Sequence, residues 1–272
     1  MSGRLRGASP HLRAGSPPAG SSLPTGAEKV AAVDAMFDAI APGYDVTNRV
    51  ISLGLDVGWR RRTVRSLELP PGAVVLDLAC GTGDLCRELA RQGLTPLGAD
   101  RSAGMLDAAR ASRGGSRRRC RGDTPRPPGA PLVRGDALAL PLRAGALDGV
   151  VCGFALRNFA ALAPVLSECA RVLRPGGRLA LLEVDAPSQP LLRFGHGVWF
   201  GKVVPWVGGL VAARSGAPRA RATAAYRYLP ASVAYLPPTG ELLSLISAAG
   251  FTSVERRTLS GGIAQLLAGT RS

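Results

Sequence analysis

A glycine turn between a buried strand and a helix carries the residues best suited to chemistry in this sequence. The segment VLDLACGTGD at 75–84 passes from an apolar run into two glycines, and a helical pattern follows. Glycines let the backbone turn sharply beneath a ligand, and the N–H groups at the start of the next helix attract electronegative groups. We therefore predict a cradle for a small polar cofactor. Its candidate binding residues are Asp77, Gly81, Thr82 and Gly83.

A second acidic position indicates which cofactor this cradle takes. The strand-like run at 95–99 ends in Asp100, where a carboxylate can accept hydrogen bonds from both hydroxyls of a ribose. A dinucleotide fingerprint would need a third glycine at the position of Cys86, to pack the helix beside a pyrophosphate. The pattern favours a nucleoside without a pyrophosphate, with S-adenosylmethionine first, and the alternative is a glycine turn in some other α/β protein. Further candidate cofactor contacts are Arg101, Met105, Asp136 and Ala137.

Alternating strand and helix patterns must position these residues. Apolar runs alternate with helical patterns through the middle of the chain, which is typical of a doubly wound, mostly parallel α/β sheet. The tight link Ser260-Gly261-Gly262 predicts an antiparallel hairpin at one edge. We predict a seven-stranded, Rossmann-like sheet with an N-terminal helical cap and a helical, aromatic insertion after the fifth strand, itself predicted at 178–184. Because ligands lie outside the carboxyl ends of such strands, the loop at 153–159 should face the transferred group.

The chain divides into a tail and one domain. The tail at 1–26 is rich in Pro, Gly, Ser and Arg and is expected to be disordered, and a single domain occupies 27–272. Within the domain, 112–131 is a low-complexity basic loop that is too polar to pack. The segment 187–230 is apolar, aromatic and broken by glycines. We predict that it faces the substrate or a membrane, and ordinary core packing is the alternative.

The composition limits the classes of partner. The 272 residues are 46% hydrophobic and carry a net charge of +15, almost all of it arginine, since lysine occurs only at Lys29 and Lys202. Such a charge indicates attraction to an anionic membrane face or to nucleic acid, or merely a solvated basic surface. The five cysteines and two histidines show no zinc-like spacing, so no metal is predicted. No secretory signal is visible, and the apolar window at 198–213 is too short for a spanning helix.

Taken together, the motifs resemble the ubiquinone/menaquinone biosynthesis C-methyltransferase family from about Val30 to Arg271. Two of them, VLDLACGTGD and RVLRPGG, are common to class I S-adenosylmethionine methyltransferases, whereas the YD-x-x-N, LRN and YRYLP segments are more specific. The matching segments are AMFDAIAPGYDVTN at 35–48, VLDLACGTGD at 75–84, ADRSAGML at 99–106, GDALALP at 135–141, FALRN at 154–158, RVLRPGG at 171–177, YRYLPASV at 226–233 and AGFTSVERRTLSGGIAQLLAG at 249–269.

The resemblance implies a class I methyltransferase that places a methyl group on a ring carbon of a reduced, polyprenylated quinol such as demethylmenaquinol. The family's cofactor contacts correspond to Thr82, Asp100, Asp136 and Ala137. Its catalytic loop corresponds to Arg157 and Asn158, with Tyr44 lining the same pocket. Arg157 would stabilise an oxyanion on the acceptor, while Asn158 and Tyr44 would orient it or relay its proton through water. Helix capping and a satisfied hydroxyl are the alternative for Tyr44.

Three departures from the family pattern keep other functions open. Ala155 stands where the family usually has glycine, 56–58 replaces a basic pair before Trp59, and the loop at 112–131 is unusually long. The first two bear on the acceptor, so a methyltransferase of the same fold acting on a soluble phenolic compound is an alternative. A nucleic-acid-binding protein, suggested by charge alone, leaves the glycine turn and the acidic residues unexplained. An inactive cofactor-binding scaffold is a third alternative.

The predicted partners follow from the acceptor. They are a lipophilic quinol and a membrane surface, without specific nucleic acid, and a homodimer is a candidate assembly. A prenyl tail leaves the bilayer at a cost of about 0.8 kcal/mol per CH₂, so the enzyme should come to the membrane. The predicted location is the cytoplasm, with peripheral attachment to the cytoplasmic face of the cell membrane.

Overall fold

The computed structural model describes residues 26–41, 44–114, 129–185, 187, 189, 197 and 232–272. Except for Gly26, the predicted tail at 1–26 lies outside the described residues. So do nearly all of the insertion at 187–230 and the central part of the basic loop at 112–131. The expectations for these segments therefore stay predictions.

One seven-stranded sheet organises the described chain and confirms the predicted fold class. Its strands are β1 Val74–Leu78, β2 Thr95–Asp100, β3 Leu132–Arg134, β4 Leu147–Gly153, β5 Leu173–Val184, β6 Phe251–Leu259 and β7 Ala264–Arg271. Their order is β3-β2-β1-β4-β5-β7-β6. The first five run parallel, and β7 is antiparallel to both β5 and β6, which is the predicted hairpin. The chain reverses its direction of winding between β1 and β4, where such sheets bind ligands.

Helices cover both faces of this sheet. They are α1 Gly26–Ile40, α2 Tyr44–Ile51, α3 Leu55–Arg65, α4 Asp84–Arg91, α5 Ala103–Gly114, α6 Leu162–Val172 and α7 Thr239–Ala248, with short 3-10 helices at Leu156–Asn158, Val233–Tyr235 and Ser260–Gly262. Among the described helices, none combines the length and apolar character needed to cross a membrane.

The core explains why four of the five residues of β1 are apolar, with Asp77 as the exception. Side chains alternate between the two faces of a strand, and both faces of a parallel sheet are buried. Val75 packs on one side in a cluster with Leu85 and Leu89 of α4. Leu76 packs on the other side in a cluster with Leu166 of α6. Large apolar residues on both faces are therefore required where a half-exposed strand would alternate with polar ones.

Strand β5 begins earlier than the sequence predicted. The segment 174–177 was expected to be a turn before a strand starting at 178, but the strand assignment runs through it, with an irregular register against β4. Gly176 has φ of 75° within this stretch, and a Cβ at Gly177 would lie 2.8 Å from the carbonyl oxygen of Arg174. The turn chemistry is thus present, but it forms a bulge inside a strand. Helix α5 likewise continues to Gly114, three residues into the predicted basic loop.

Candidate active site

A cavity lies at the carboxyl ends of the central strands, where the fold predicts a ligand site. Its empty volume, with the open mouth included, is about 930 Å³. It is lined by the ends of β1, β2 and β4, by the loop at 135–138 and by α1, which covers it as the predicted cap. Predicted site residues among the lining are Tyr44, Gly81, Asp100, Arg101, Met105, Asp136, Ala137 and Asn158.

The glycine turn presents only one of its residues to this cavity. Gly81 has φ of 53°, and a Cβ added there would meet nothing within 4 Å, so the space above it is open. Gly83 is instead the N-cap of α4, with φ of 84°, and its N–H donates to the carbonyl of Cys80 at 2.8 Å. The buried Thr82 donates its hydroxyl to the Asp45 carboxylate on α2. Thr82 and Gly83 therefore shape the turn and tie it to the cap, without being among the lining residues.

Asp77 supports the turn from below. Its side chain is buried, and its Oδ2 accepts the backbone N–H of Cys86 in α4 at 2.9 Å. Burial raises the pKa of this carboxyl to about 7, against the opposing effect of the hydrogen bonds from Cys86. Asp77 is not among the lining residues, so the structure places this predicted cofactor contact beneath the cavity wall.

Asp100 occupies the position that the sequence indicated. Its Oδ2 accepts the N–H of Gly81 at 2.7 Å, and its Oδ1 accepts the N–H of Ser102 at 2.8 Å. These two bonds fix the carboxylate in the cavity wall, and each oxygen keeps lone-pair capacity for another donor. Burial raises the pKa of Asp100, and the backbone hydrogen bonds oppose that shift. Two adjacent hydroxyls of a ribose are the kind of donor that such a carboxylate accepts.

Arg101 closes one side of the same region. Its Nε lies 2.8 Å from Oδ2 of Asp34 on α1, and its Nη1 lies 2.8 Å from Oδ2 of Asp136. The other oxygen of Asp136 accepts the N–H of Leu138 at 3.0 Å. All three side chains are partly exposed or exposed, so these pairs contribute modestly to stability. Their effect is to hold α1 against the strand end that carries Asp100.

Another part of the cavity wall carries a phenol and a carboxamide, those of Tyr44 and Asn158. Burial raises the pKa of Tyr44, although a side-chain hydrogen bond with Asn48 and the charge of Arg157 act in the opposite direction. The Tyr44 ring packs edge-on against Phe37, with 5.9 Å between the centroids. Asn158 lines the same space, and its Oδ1 is buried without a hydrogen-bond partner. A buried polar atom of this kind is uncommon and indicates a place for a donor.

Arg157 stands behind the cavity wall. Its guanidinium forms a buried ion pair with Glu183 at the end of β5, and its Nε donates to Oγ of Ser232 at 3.0 Å. It is absent from the lining residues. Its positive charge still reaches the cavity, since it lowers the pKa of Tyr44. A direct contact between Arg157 and an acceptor oxygen therefore stays a prediction, and one that requires the side chain to leave Glu183.

The structure explains the two positions, Ala155 and Asp56, at which the sequence departs from the family pattern. Ala155 has φ of −117°, which any residue adopts, so no glycine is required there. The left-handed residue is its neighbour Phe154, with φ of 60°. Asp56 is buried, pairs with Arg60 and accepts the hydroxyl of Ser52 at 2.7 Å, so it stabilises α3. Neither position leaves an unpartnered group in the cavity.

Several residues around the cavity were not assigned roles from the sequence. The chief examples are Lys29, Asp34, Asp38, Asp45 and Glu183. Asp45 was visible as part of the YD-x-x-N segment. The partners of the others lie far away in the chain, so local spacing carried no signal for them. The one available hint for Lys29 was its rarity, because arginine supplies almost all the positive charge.

Comparison with known proteins gives one consistent family. The model of the ubiE/COQ5 methyltransferase family matches residues 25–271. A demethylmenaquinone methyltransferase of Roseiflexus castenholzii is 39% identical over 252 residues, which cover 92% of this chain and 97% of that protein. The protein of the same name from Thermus thermophilus is 41% identical, over 87% of this chain and its own full length.

Solved structures show the same fold at lower identity. A SAM-dependent methyltransferase of Thermotoga maritima superposes with a TM-score of 0.57 at 19% identity, covering 88% of this chain and 99% of that one. A TehB-like SAM-dependent methyltransferase of Corynebacterium glutamicum gives a TM-score of 0.51 at 16% identity, covering 85% and 98%.

Proposed function

The chain belongs to the ubiE/COQ5 methyltransferase family, and on that premise we propose that its cavity methylates a ring carbon of a polyprenylated quinol. The enzyme is an S-adenosylmethionine-dependent methyltransferase. We propose demethylmenaquinol as the acceptor and menaquinol as the product. Relatives from two bacteria carry the name demethylmenaquinone methyltransferase, and this chain covers nearly the whole of each.

The described residues fit the adenosyl cofactor. Asp100 offers a fixed carboxylate for the ribose hydroxyls, and the space above Gly81 admits a ligand close to the backbone. Asp136, Ala137 and Met105 would surround the base. When bound, S-adenosylmethionine supplies an electrophilic methyl group on its sulfonium. Of the remaining predicted contacts, Asp77, Thr82 and Gly83 support the turn that carries Gly81, and Arg101 braces the wall.

The observation that carries the acceptor proposal is the unpartnered Oδ1 of Asn158. A carboxamide oxygen accepts hydrogen bonds, so the missing partner is an N–H or O–H donor. Leaving such an acceptor buried and unsatisfied costs about 1–3 kcal/mol, which a bound hydroxyl would recover. A ring hydroxyl beside the methylated carbon is the donor that a quinol provides, and the apolar side chains around it suit an aromatic ring.

The other side chains then act on the charge of that hydroxyl. A ring carbon becomes a better nucleophile as the neighbouring hydroxyl ionises: the O–H bond breaks, its electron pair stays on the oxygen as a phenolate, and the proton passes to water, so Asn158 Oδ1 orients the hydroxyl only before it ionises. With its pKa raised by burial, Tyr44 remains protonated and donates to the developing oxyanion. Arg157 contributes positive potential from behind the wall, reduced by its pairing with Glu183. Holding the ring carbon at attack distance from the methyl group supplies much of the remaining acceleration.

Quinone profiling tests this proposal most directly. A strain that lacks the gene is complemented either with the wild-type protein or with Asn158→Leu, which keeps the side-chain volume but removes the acceptor oxygen. Mass spectrometry should show the demethyl precursor accumulating in the empty strain and in the Asn158→Leu strain. A normal quinone profile in the gene-free strain would reject the quinol and favour the soluble phenolic alternative.

We also propose that the enzyme works in the cytoplasm, at the cytoplasmic face of the membrane. The acceptor's tail favours this because it would otherwise have to leave the lipid. The corner between α2 and α3 offers a suitable surface, since Val46 and Leu53 are 60% and 68% exposed and the exposed Arg49 lies between them in the chain. Apolar residues beside arginine favour an anionic bilayer surface. A homodimer stays a prediction, which light scattering of the purified protein tests.

A further inference from the structure

Lys29 is an unusual residue for its position. It is only 5% exposed, and burying an ammonium group is costly unless it is paired. Its described partners are a carbonyl and an aromatic face: Nζ donates to the backbone oxygen of Phe159 at 2.8 Å and lies 3.8 Å from the ring centroid of Tyr235. Burial lowers the pKa of this ammonium. A surface lysine with only a solvation role would not be held in this way.

The partners of Lys29 belong to the acceptor end of the cavity. Phe159 follows Asn158 directly, and both residues line the cavity. The N–H of Phe159 closes the 3-10 helix by donating to the carbonyl of Leu156 at 3.3 Å. The carbonyl of Phe159, just after this helix, accepts the hydrogen bond from Lys29 on α1. Fixing that carbonyl restricts the peptide unit between Phe159 and Ala160, one residue beyond Asn158, and through it the backbone that carries the Asn158 carboxamide.

Tyr235 belongs to a third segment that contacts Lys29. It ends the 3-10 helix at Val233–Tyr235, which packs on the helix that carries Arg157 and Asn158. The residue before that helix, Ser232, accepts the hydrogen bond from Arg157 Nε. A cation is attracted to the face of an aromatic ring, and more strongly where water is excluded. Lys29 thus joins α1, the Asn158 helix and the 233–235 helix at one point.

We propose that Lys29 is a positioning residue for the methyl acceptor. Its ammonium holds the backbone beside Asn158 and the ring of Tyr235 in the arrangement that lets Asn158 Oδ1 face the acceptor hydroxyl. The inference rests on the proposed function for the identity of the acceptor, but the positioning itself is a property of the chain alone. It concerns the acceptor end, whereas Asp100 and Gly81 at the other end make no described contact with Lys29.

The kinetic test compares Lys29→Met with Lys29→Arg. Methionine keeps most of the apolar stem and removes the charge and the donor, whereas arginine restores both. With a short-tailed demethylmenaquinol, Lys29→Met should lower kcat/KM about tenfold or more, equivalent to roughly 1.4 kcal/mol. The Kd for S-adenosylmethionine, measured by calorimetry, should change less than about twofold. Lys29→Arg should recover most of the loss, and Arg62→Met, which removes an exposed positive charge from α3, is the matched control.

The contribution of the ring is separated by a double-mutant cycle. Tyr235→Phe keeps the aromatic face and should behave like the wild type, whereas Tyr235→Leu removes the face. If the two groups act together, combining Tyr235→Leu with Lys29→Met should cost less than the sum of the single effects. Strict additivity would remove Tyr235 from the proposal.

A readout without any acceptor keeps this inference separate from the proposed function. Amide hydrogen exchange of the peptide at 154–160 should be faster in Lys29→Met than in the wild type, while exchange of β1 stays unchanged. Unchanged exchange at 154–160 together with unchanged kcat/KM would overturn the role of Lys29. Faster exchange in a protein that does not methylate the quinol would instead reject the acceptor and leave the positioning role standing.

Discussion

Replacing Asp77 with asparagine separates a structural role from cofactor binding. The sequence predicted that this residue contacts the cofactor, but its carboxylate is buried beneath the glycine turn and accepts the N–H of Cys86. An asparagine oxygen can accept the same N–H, so the change removes a titrating group and keeps the hydrogen bond. The first expected result is that the Kd for S-adenosylmethionine changes less than about threefold, or less than roughly 0.7 kcal/mol.

The second expected result is a change in how stability depends on pH. The pKa of Asp77 is raised from 3.8 to about 7 in the fold, so between these values the native state holds a proton that the unfolded chain releases. The stabilisation from Asp77 is therefore fully present below the unfolded value and is lost as the pH rises through the folded one. Integrating this difference from about pH 5 to about pH 8 gives a loss of roughly 2–3 kcal/mol in the free energy of unfolding.

Urea denaturation across that pH range provides the assay. Wild-type stability should fall more steeply than that of Asp77→Asn, by roughly 2–3 kcal/mol in total. Asp148→Asn is a matched control because Asp148 also accepts a backbone N–H, from Val74 at 2.7 Å, but its pKa is lowered, chiefly by Arg174. That control should keep the wild-type slope. Parallel pH curves for Asp77→Asn and the wild type would refute the pKa argument. A large rise in the Kd for S-adenosylmethionine would indicate that Asp77 contacts the cofactor after all.

Three further outcomes are expected. Asp100→Ala removes the acceptor for the ribose hydroxyls and should weaken cofactor binding by about 2 kcal/mol or more in calorimetry, since bonds to a charged acceptor contribute about 1.5–3 kcal/mol each. Removing Arg157 alone would leave Glu183 buried and unpaired, at a cost of about 3–5 kcal/mol in stability. Turnover should therefore be compared in Arg157→Met/Glu183→Gln, where a fall of about a hundredfold with an intact cofactor Kd is expected and unchanged turnover would dismiss Arg157. Flotation with anionic vesicles should decline at high salt, as each positive charge near the surface adds about 1 kcal/mol, and salt-independent flotation would indicate a purely apolar contact.

The fold could be predicted because its strongest signals are local. The apolar run of β1 followed by the glycines at 81 and 83 specifies strand, turn and helix within one segment, and the Ser-Gly-Gly link at 260–262 specifies the closing hairpin. The predicted start of β5, at residue 178, was wrong because Pro and Gly at 175–177 are typical of a turn. Pairing with β4 on both sides of that stretch turned it into a bulge, and such pairing is not visible from the local sequence.

The site was predictable by position but not by side-chain direction. Strand ends identify which residues approach the cavity, and Asp100 and Asn158 do line it. Direction is decided by partners from distant segments. The hydroxyl of Thr82 donates to Asp45 on α2, and the guanidinium of Arg157 pairs with Glu183 instead of lining the cavity. Outside regular helices and strands there is no periodicity from which such choices follow.

Helix α1 connects the two ends of the cavity through polar contacts. Asp34 pairs with Arg101 beside the cofactor strand, and Oδ1 of Asp38 accepts the N–H of Gly104 at 3.1 Å. Lys29 makes the corresponding contact at the acceptor end. Because one helix carries all three side chains, a displacement of α1 at either end would alter the other. We therefore expect cofactor and acceptor binding to be coupled through this helix more than through the sheet.

The departures from the family pattern no longer favour a soluble acceptor. Ala155 adopts a backbone conformation open to any residue, so the loss of glycine adds a methyl group to an apolar wall without moving the loop. Asp56 pairs with Arg60 and accepts the hydroxyl of Ser52, and it is not among the residues that line the cavity. A polar phenolic substrate would call for additional polar partners at the acceptor end, and neither substitution supplies one. The unpartnered oxygen of Asn158 beside an aromatic and aliphatic surface instead matches a ring with few hydroxyls, which is the chemistry of a quinol.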